Sequence, residues 1–270
     1  MAEPVVRNIG EVSQGFVLHS YPYLETSLIL ETFTRSHGRI VFVAKGAKRP
    51  ASVMKSLLNP FQPLRFNWFG KADMKTLKSA EHGRIFPQLR GAALMSAFYM
   101  NELLLKLTHR EEAHECLFDA YEQAVAMLAD ADIPEKANDV RGIATVLRRF
   151  EISLLQEIGY ALNLLEEADS REPLQPNQRY YYIFEHGPIG EHRWQHWQDS
   201  QSRSQPPLYL SGQRDGLQLH GKTLLDMAVG DFTDPVTQNQ AKQLMRRAIN
   251  HVLGDKTLHT RQLIRDLQSS

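Results

Sequence analysis

Between residues 14 and 78 the chain carries five short runs of alternating or β-branched apolar residues, each cut off by a turn signal. This feature constrains the fold most, because successive side chains of a strand face opposite ways and such runs pack as half-buried strands rather than helices. Residues 14–19 make the first strand, closed by Tyr21-Pro22. Residues 25–34 make the second, with Leu28, Leu30 and Phe33 set against Glu25, Ser27 and Glu31. Ser36-His37-Gly38-Arg39 reads as a hairpin turn and residues 40–44 as the third strand. A short helical segment at 53–58 precedes two further strands, 64–68 with Leu64, Phe66 and Trp68 in alternation, and 74–78. Five strands with a helical turn between the third and fourth follow the order of an OB-fold barrel.

The loop after the third strand holds Lys45, Lys48, Arg49 and Lys55 and offers no acid, base or nucleophile. Such a loop suits the holding of a polyanion rather than its cleavage. The zero formal net charge of the 270 residues conceals a segregation. Residues 35–78 carry ten cations against Asp73 alone, and residues 91–139 carry ten acids against Lys106, Arg110 and Lys136. Adjacent blocks of opposite sign indicate a basic nucleic-acid module beside a differently employed domain. Barrels of this kind carry single strands in a basic groove lined with stacking rings. The candidate DNA contacts on the barrel are Arg39, Lys45, Lys48, Arg49, Lys55, Trp68, Lys71 and Lys75. Phe42 and Phe66 are expected in the core, while Trp68 and Phe69 are open to either role.

Beyond Pro87 the period becomes helical. Residues 94–105 are apolar on most faces, 114–129 form a second helix, and Ile143, Val146, Leu147, Phe150, Leu154 and Ile158 draw one stripe that stops at Gly159. Residues 166–219 are polar and irregular, with strands expected at 180–184 and 208–210. The last helices, 223–229, 239–253 and 260–267, bring a second basic cluster of Lys242, Arg246, Arg247, Lys256, Arg261 and Arg265 against Asp255. Arg246, Arg247, Lys256 and Arg261 join the candidate DNA contacts. The expected architecture is α+β: an OB-fold β-barrel over residues 1–85, an all-helical domain over 86–165 and 220–270, and a small β insertion over 166–219. Cys116 is the only cysteine, so neither a disulfide framework nor a cysteine zinc site is possible. With no leader and no bilayer-length apolar run, the expectation is a soluble, cytoplasmic, nucleoid-associated protein.

Four segments in order resemble one family. They are Gly15-Phe16-Val17-Leu18-His19-Ser20 with Glu25-Thr26-Ser27; His37-Gly38-Arg39 through Val43-Ala44-Lys45-Gly46-Ala47; Leu147-Arg148-Arg149-Phe150-Glu151 with Ile158-Gly159-Tyr160; and Arg246-Arg247 with Leu253-Gly254-Asp255-Lys256-Thr257-Leu258. Together the set is similar to the RecO-type recombination mediators of bacterial DNA repair. The resemblance implies a non-enzymatic protein that binds and anneals single- and double-stranded DNA. It implies work with RecR and with single-stranded DNA-binding protein (SSB), helping RecA onto coated DNA, without cofactor and without membrane. It also implies a contact with the acidic SSB tail, whose terminal carboxylate needs a cation beside an apolar stripe; Arg148 is the candidate. Some family members hold zinc on four cysteines in the insertion; this chain lacks them, so no metal is carried over.

Two motifs compete. Gly216 to Thr223 matches the phosphate-loop pattern G-x4-G-K-T and gives the alternative, an NTP-dependent repair factor. Its context fails: residues 213–216 read as a turn, Leu217 and Leu219 alternate like a strand, and no later apolar run ends in a magnesium-holding Asp. Thr223 reads instead as the N-cap of the next helix. His192 and His196, four apart, have metal-ligand spacing on a helix, but the Gln/Ser-rich surroundings indicate an exposed loop with surface histidines.

Overall fold

The computed structural model describes residues 10–131, 140–203 and 216–263. The chain divides into two compact units, residues 1–146 with 257–270, and residues 147–256.

In the first unit, strands β1 (Glu11–Tyr23), β2 (Ser27–Thr34), β3 (Gly38–Ala44), β4 (Leu64–Phe69) and β5 (Met74–His82) close into a barrel of order β1-β2-β3-β5-β4. One turn of helix, α1 (Met54–Leu57), lies between β3 and β4, as expected. All neighbours pair antiparallel except β3 and β5. Val17, Leu30, Ile40, Phe42, Ala44, Leu64, Phe66, Trp68 and Leu77 fill the interior. The first strand does not stop at Tyr21-Pro22: it runs to Tyr23, and Pro22 pairs with Leu28 close to the strand end, where loss of one N–H costs least. A bulge between Val17 and His19 re-aims the side chains that follow.

Helices α2 (Gly91–Leu107) and α3 (Glu115–Ala131) pack on the outer wall of the barrel, so residue 85 marks no gap in the packing. Phe16 and Phe33 point outward and meet Phe118 and Tyr121 of α3, with ring centroids 5.1–6.1 Å apart. One buried polar chain threads this seam. Tyr121 Oη donates to Asn101 Oδ1 at 2.6 Å, and Asn101 Nδ2 donates to the Leu18 carbonyl at 2.8 Å. The bulge frees that carbonyl and α2 satisfies it, as a buried backbone group requires. Burial raises the Tyr121 phenol above its ordinary value.

The second unit includes α4 (Val140–Glu157) from Leu147 onward, and Gly159 (φ +85°) ends that helix as its spacing predicted. Strands β6 (Arg179–Ile183), β7 (Gly187–Gly190) and β8 (Leu217–His220) form a three-stranded antiparallel sheet of order β7-β6-β8. The strand expected at 180–184 is β6; that expected at 208–210 lies outside the described residues. Helix α5 (Glu191–Arg203) covers one face of the sheet, where Tyr181 and Trp194 stack at 4.4 Å. Residues 191–203 are therefore helical, not the exposed loop their polarity indicated. Helices α6 (Gly221–Val229) and α7 (Pro235–Leu253) close the other face around Leu219, Leu224, Met227, Leu244 and Met245. Pro235 and the Asp234 cap, which accepts from the Val236 N–H at 2.8 Å, set the start of α7.

Candidate nucleic-acid interface

The loop from Lys45 to Lys55 is a series of pinned turns. Gly46 takes φ +70°, a conformation that favours glycine. The Arg49 amide bonds to the Gly46 carbonyl at 3.1 Å, Ser52 to Arg49 at 2.9 Å, and Lys55 to Ser52 at 3.2 Å. The Lys48 amide reaches the Thr26 carbonyl at 2.9 Å, tying the loop to the β1–β2 turn. Ala47 is fully buried and anchors the loop in the barrel core. Lys45, Lys48, Arg49 and Lys55 nevertheless stand exposed, and none forms an ion pair among the described residues. A fixed backbone bearing unneutralised cations presents charge to an anion at little ordering cost. Lys71, in the β4–β5 turn, is exposed as well.

Three sequence candidates on the barrel do not face solvent. Arg39 is buried, and its guanidinium closes the C-terminal end of α2. Nη1 donates to the carbonyls of Leu104 (3.3 Å), Leu105 and Thr108 (3.2 Å), while Nη2 lies 3.7 Å from the buried Glu31 carboxylate. A cation at the negative end of a helix is favourable, and the carboxylate opposes the desolvation cost. Burial still pulls the guanidinium below its ordinary pKa, against the attraction of Glu31. The preceding Gly38 (φ +63°) lies so near α2's exit segment that a Cβ there would sit 1.7 Å from the Glu112 carbonyl oxygen. Gly38-Arg39 thus clasps the segment after α2, and the Arg39 guanidinium is turned away from solvent. Lys75 is buried too, and its ammonium pairs with Glu111 at 2.6 Å. Trp68 has no exposed surface; its ring lies 5.2 Å from Phe42 inside the barrel and cannot stack on a base. The neighbouring Phe69 is the exposed ring, at 40%.

The second basic cluster divides. Helix α7 contains no acidic residue, and Lys242, Arg246 and Arg247 lie on its exposed side; Lys256 is exposed just beyond its Gly254 stop. Arg261 belongs to the other unit and is half-buried, its guanidinium over the Tyr99 ring at 5.4 Å and donating to Tyr99 Oη at 3.1 Å. Arg265 lies outside the described residues.

Arg148, on α4, grips Glu151 with two nitrogens, Nη1 at 2.9 Å and Nη2 at 3.0 Å, and that carboxylate is fully buried. The partner acid comes from its own helix one turn on. Arg149 is exposed and donates to the Gly230 carbonyl at 2.8 Å, capping the end of α6.

The phosphate-loop pattern has the wrong geometry. Strand β8 passes directly into α6 at His220 and Gly221, with no loop between them. The amides that would cradle phosphate are occupied: His220 by Gln240 Oε1 at 3.0 Å, Gly221 by the Gln178 carbonyl at 2.8 Å, Lys222 by the Pro176 carbonyl at 3.1 Å. The Lys222 ammonium pairs with Asp226 and Asp234. Thr223 lies inside the helix, bonded to Gln240 at 2.7 Å, so the N-cap is His220 rather than Thr223. Among the described residues no group of three or more His, Cys, Asp or Glu side chains is placed to hold a metal ion, His192 and His196 included. No helix among them is long and apolar enough to cross a membrane.

Comparison with known proteins accords with this architecture. Residues 11–86 match the family model described as recombination protein O N terminal, and residues 88–261 the model for recombination protein O C terminal. The chain is 47% identical over 261 residues to the DNA repair protein RecO of Nitrosospira multiformis, covering 96% of each chain. It is 44% identical over 255 residues to that of Aromatoleum aromaticum (94% of this chain, 95% of the relative) and 42% identical over 273 residues to that of Thiobacillus denitrificans (98% of each). Barrel, helices and full-length similarity lead to one conclusion: the chain belongs to the RecO family of DNA repair and recombination proteins.

Proposed function

We propose that this protein is a recombination mediator without catalytic activity. It binds single- and double-stranded DNA, anneals complementary strands and, together with RecR, helps RecA replace SSB, in the cytoplasm at the nucleoid and without metal or nucleotide. The observation that carries this reading is the pinned loop whose cations Lys45, Lys48, Arg49 and Lys55 are exposed and unneutralised. Two complementary strands repel through their phosphates. A surface that neutralises phosphates while leaving bases accessible lowers that barrier, so annealing follows from binding alone. Lys71 supports the same surface, and Arg246, Arg247 and Lys256 supply a cationic face on the second unit. The test is strand annealing on SSB-coated DNA without nucleotide. Annealing by the wild-type chain and by Lys222→Ala supports the reading; a requirement for ATP overturns it.

The SSB contact is assigned to Arg148. Glu151 holds its guanidinium in one orientation on the helix that also carries the apolar stripe, which suits capture of a terminal carboxylate next to an apolar side chain. Titration of a tail peptide by fluorescence anisotropy is expected to weaken in Arg148→Ala while affinity for naked single strands stays unchanged. Equal tail affinity in both proteins removes Arg148 from the site.

A further inference from the structure

The stop of α4 also places a ring. Gly159 (φ +85°) and Tyr160 close the helix with the two bonds of a Schellman motif: the Gly159 amide donates to the Gln156 carbonyl at 3.2 Å, and the Tyr160 amide to the Leu155 carbonyl at 2.7 Å. The Tyr160 side chain is thereby laid over Phe184, with ring centroids 6.2 Å apart and planes 18° from parallel. Phe184 is buried, whereas Tyr160 is 38% exposed. Both rings line a pocket of about 270 Å³ in the second unit, together with Asn163, Tyr182, Glu185 and His186. Glu185 takes a left-handed position (φ +65°) in the β6–β7 turn, a conformation uncommon for side chains other than Asn, Asp and His. His251 Nε2 lies 2.9 Å from Glu185 Oε1, and the second carboxylate oxygen has no partner among the described residues. His186 in turn pairs with Asp169 at 3.0 Å. Among the described residues lining the pocket there is no lysine or arginine.

An aromatic wall beside two carboxylates, each paired with an imidazole rather than with a full cation, repels phosphate and attracts positive charge. Its chemistry is therefore opposite to that of the basic loop. The volume falls below the range of pockets for drug-sized ligands, about 300–1,000 Å³, and suits one side chain. We infer that this pocket receives an arginine side chain from a partner protein. A planar guanidinium stacks on the Tyr160 ring and, in its own plane, donates to the remaining Glu185 oxygen. A lysine ammonium lacks the flat face and the fork of donors that make both contacts at once. The site uses none of the proposed DNA contacts and not Arg148, so it is a separate docking point for a basic protein segment.

The experiment titrates the full chain with capped pentapeptides Gly-Ser-X-Ser-Gly, in which X is arginine, lysine or citrulline. Binding is read by saturation-transfer NMR on the side-chain protons of X. Saturable binding of the arginine peptide is expected. Citrulline, which keeps the shape and loses the charge, should bind about fivefold or more weaker, and lysine about twofold or more weaker. Tyr160→Ala and Glu185→Gln are each expected to weaken the arginine peptide about two- to fivefold, while Tyr160→Phe, which keeps the ring, retains wild-type affinity. Circular dichroism verifies the fold, and DNA affinity should be the same in all three variants. No saturable binding to the wild-type chain, equal affinity for arginine and either other peptide, or wild-type affinity in both Tyr160→Ala and Glu185→Gln overturns the inference. A loss of DNA affinity in Glu185→Gln would place nucleic acid in the pocket and overturn it as well.

Discussion

Arg39 and Arg49 stand ten residues apart in one cationic stretch and meet opposite fates. Arg39 is enclosed by the last carbonyls of α2 and by Glu31, whereas Arg49 extends from a turn whose backbone bonds are satisfied within the loop. Both are arginines on a basic module, and composition weighs them equally. What separates them is the group opposite: a helix end and a buried carboxylate for one, solvent for the other. The same contrast recurs in β5 and its turn, where Lys71 is exposed and Lys75 is paired with Glu111. A positive charge therefore reports on polyanion binding only after the intramolecular anions have taken their share.

The largest expected effects fall on the buried side of this comparison. Arg39→Ala leaves the Glu31 carboxylate short of a buried partner and the end of α2 without its cap. A loss of about 3–5 kcal/mol in unfolding free energy is expected from breaking such a buried pair. Chemical denaturation is the measurement, and a change under about 1 kcal/mol would place Arg39 back among the surface cations. Trp68→Ala, which empties the barrel centre, is expected to cost about 3–5 kcal/mol as well. Its effect on DNA affinity should follow the folded fraction only. A variant that stays fully folded yet loses affinity would return Trp68 to the DNA surface.

The exposed side gives an effect of another kind. With Lys45, Lys48, Arg49 and Lys55 all changed to Ala, the slope of log affinity against log salt on single strands is expected to flatten by about 3 units, at about 0.7 per phosphate contact. Unfolding free energy should shift by no more than a few tenths of a kcal/mol per site, since surface substitutions away from special features lie within about 0.5 kcal/mol. An unchanged slope would move the DNA path off this loop.

Much of this was legible in the sequence, for a physical reason. A small barrel admits only one apolar set, so the alternation of Leu64, Phe66 and Trp68 had to face inward, and Gly46 and Gly159 marked backbone positions that glycine fills best. The fate of Arg39 was not legible, because its partners come from Glu31 and from residues 104–108, distant in sequence and brought close only by α2 packing on the barrel. The choice between Trp68 and Phe69, left open above, was legible after all. Two adjacent rings must face opposite ways, and the alternation from Leu64 already favoured Trp68 as the inner one. The bulge between Asn67 and Trp68 shifts the pairing by one residue, so that Trp68 meets Leu77 in the core and Phe69 meets Thr76 on the outer wall. Helix α5 escaped because its 13 residues are mostly polar and its few apolar contacts, through Trp194 and Trp197, are with the small sheet alone. The signal available was the Trp194/Trp197 spacing of three, which places both rings on one helical face.

The smallest expected effect is also the sharpest discriminator. Lys71 and Lys75 are four residues apart, identical in type, and read from sequence as two DNA contacts. If exposure decides, Lys71→Ala lowers the single-strand salt slope by about 0.7 units, one phosphate contact. Lys75→Ala, which leaves only Glu111 without its partner at the protein surface, leaves the slope unchanged. Glu111 is itself in a left-handed conformation (φ +59°) on the segment that Arg39 clasps, so losing its lysine is expected to loosen that segment locally. Amide exchange of residues 108–112 should then quicken in Lys75→Ala and stay at the wild-type rate in Lys71→Ala. Equal slope changes in the two variants would mean that Lys75 leaves Glu111 to meet DNA, and burial in the free protein would no longer separate the two classes of cation. A slope change confined to Lys71, with faster exchange confined to Lys75, assigns one lysine to the ligand and the other to the fold.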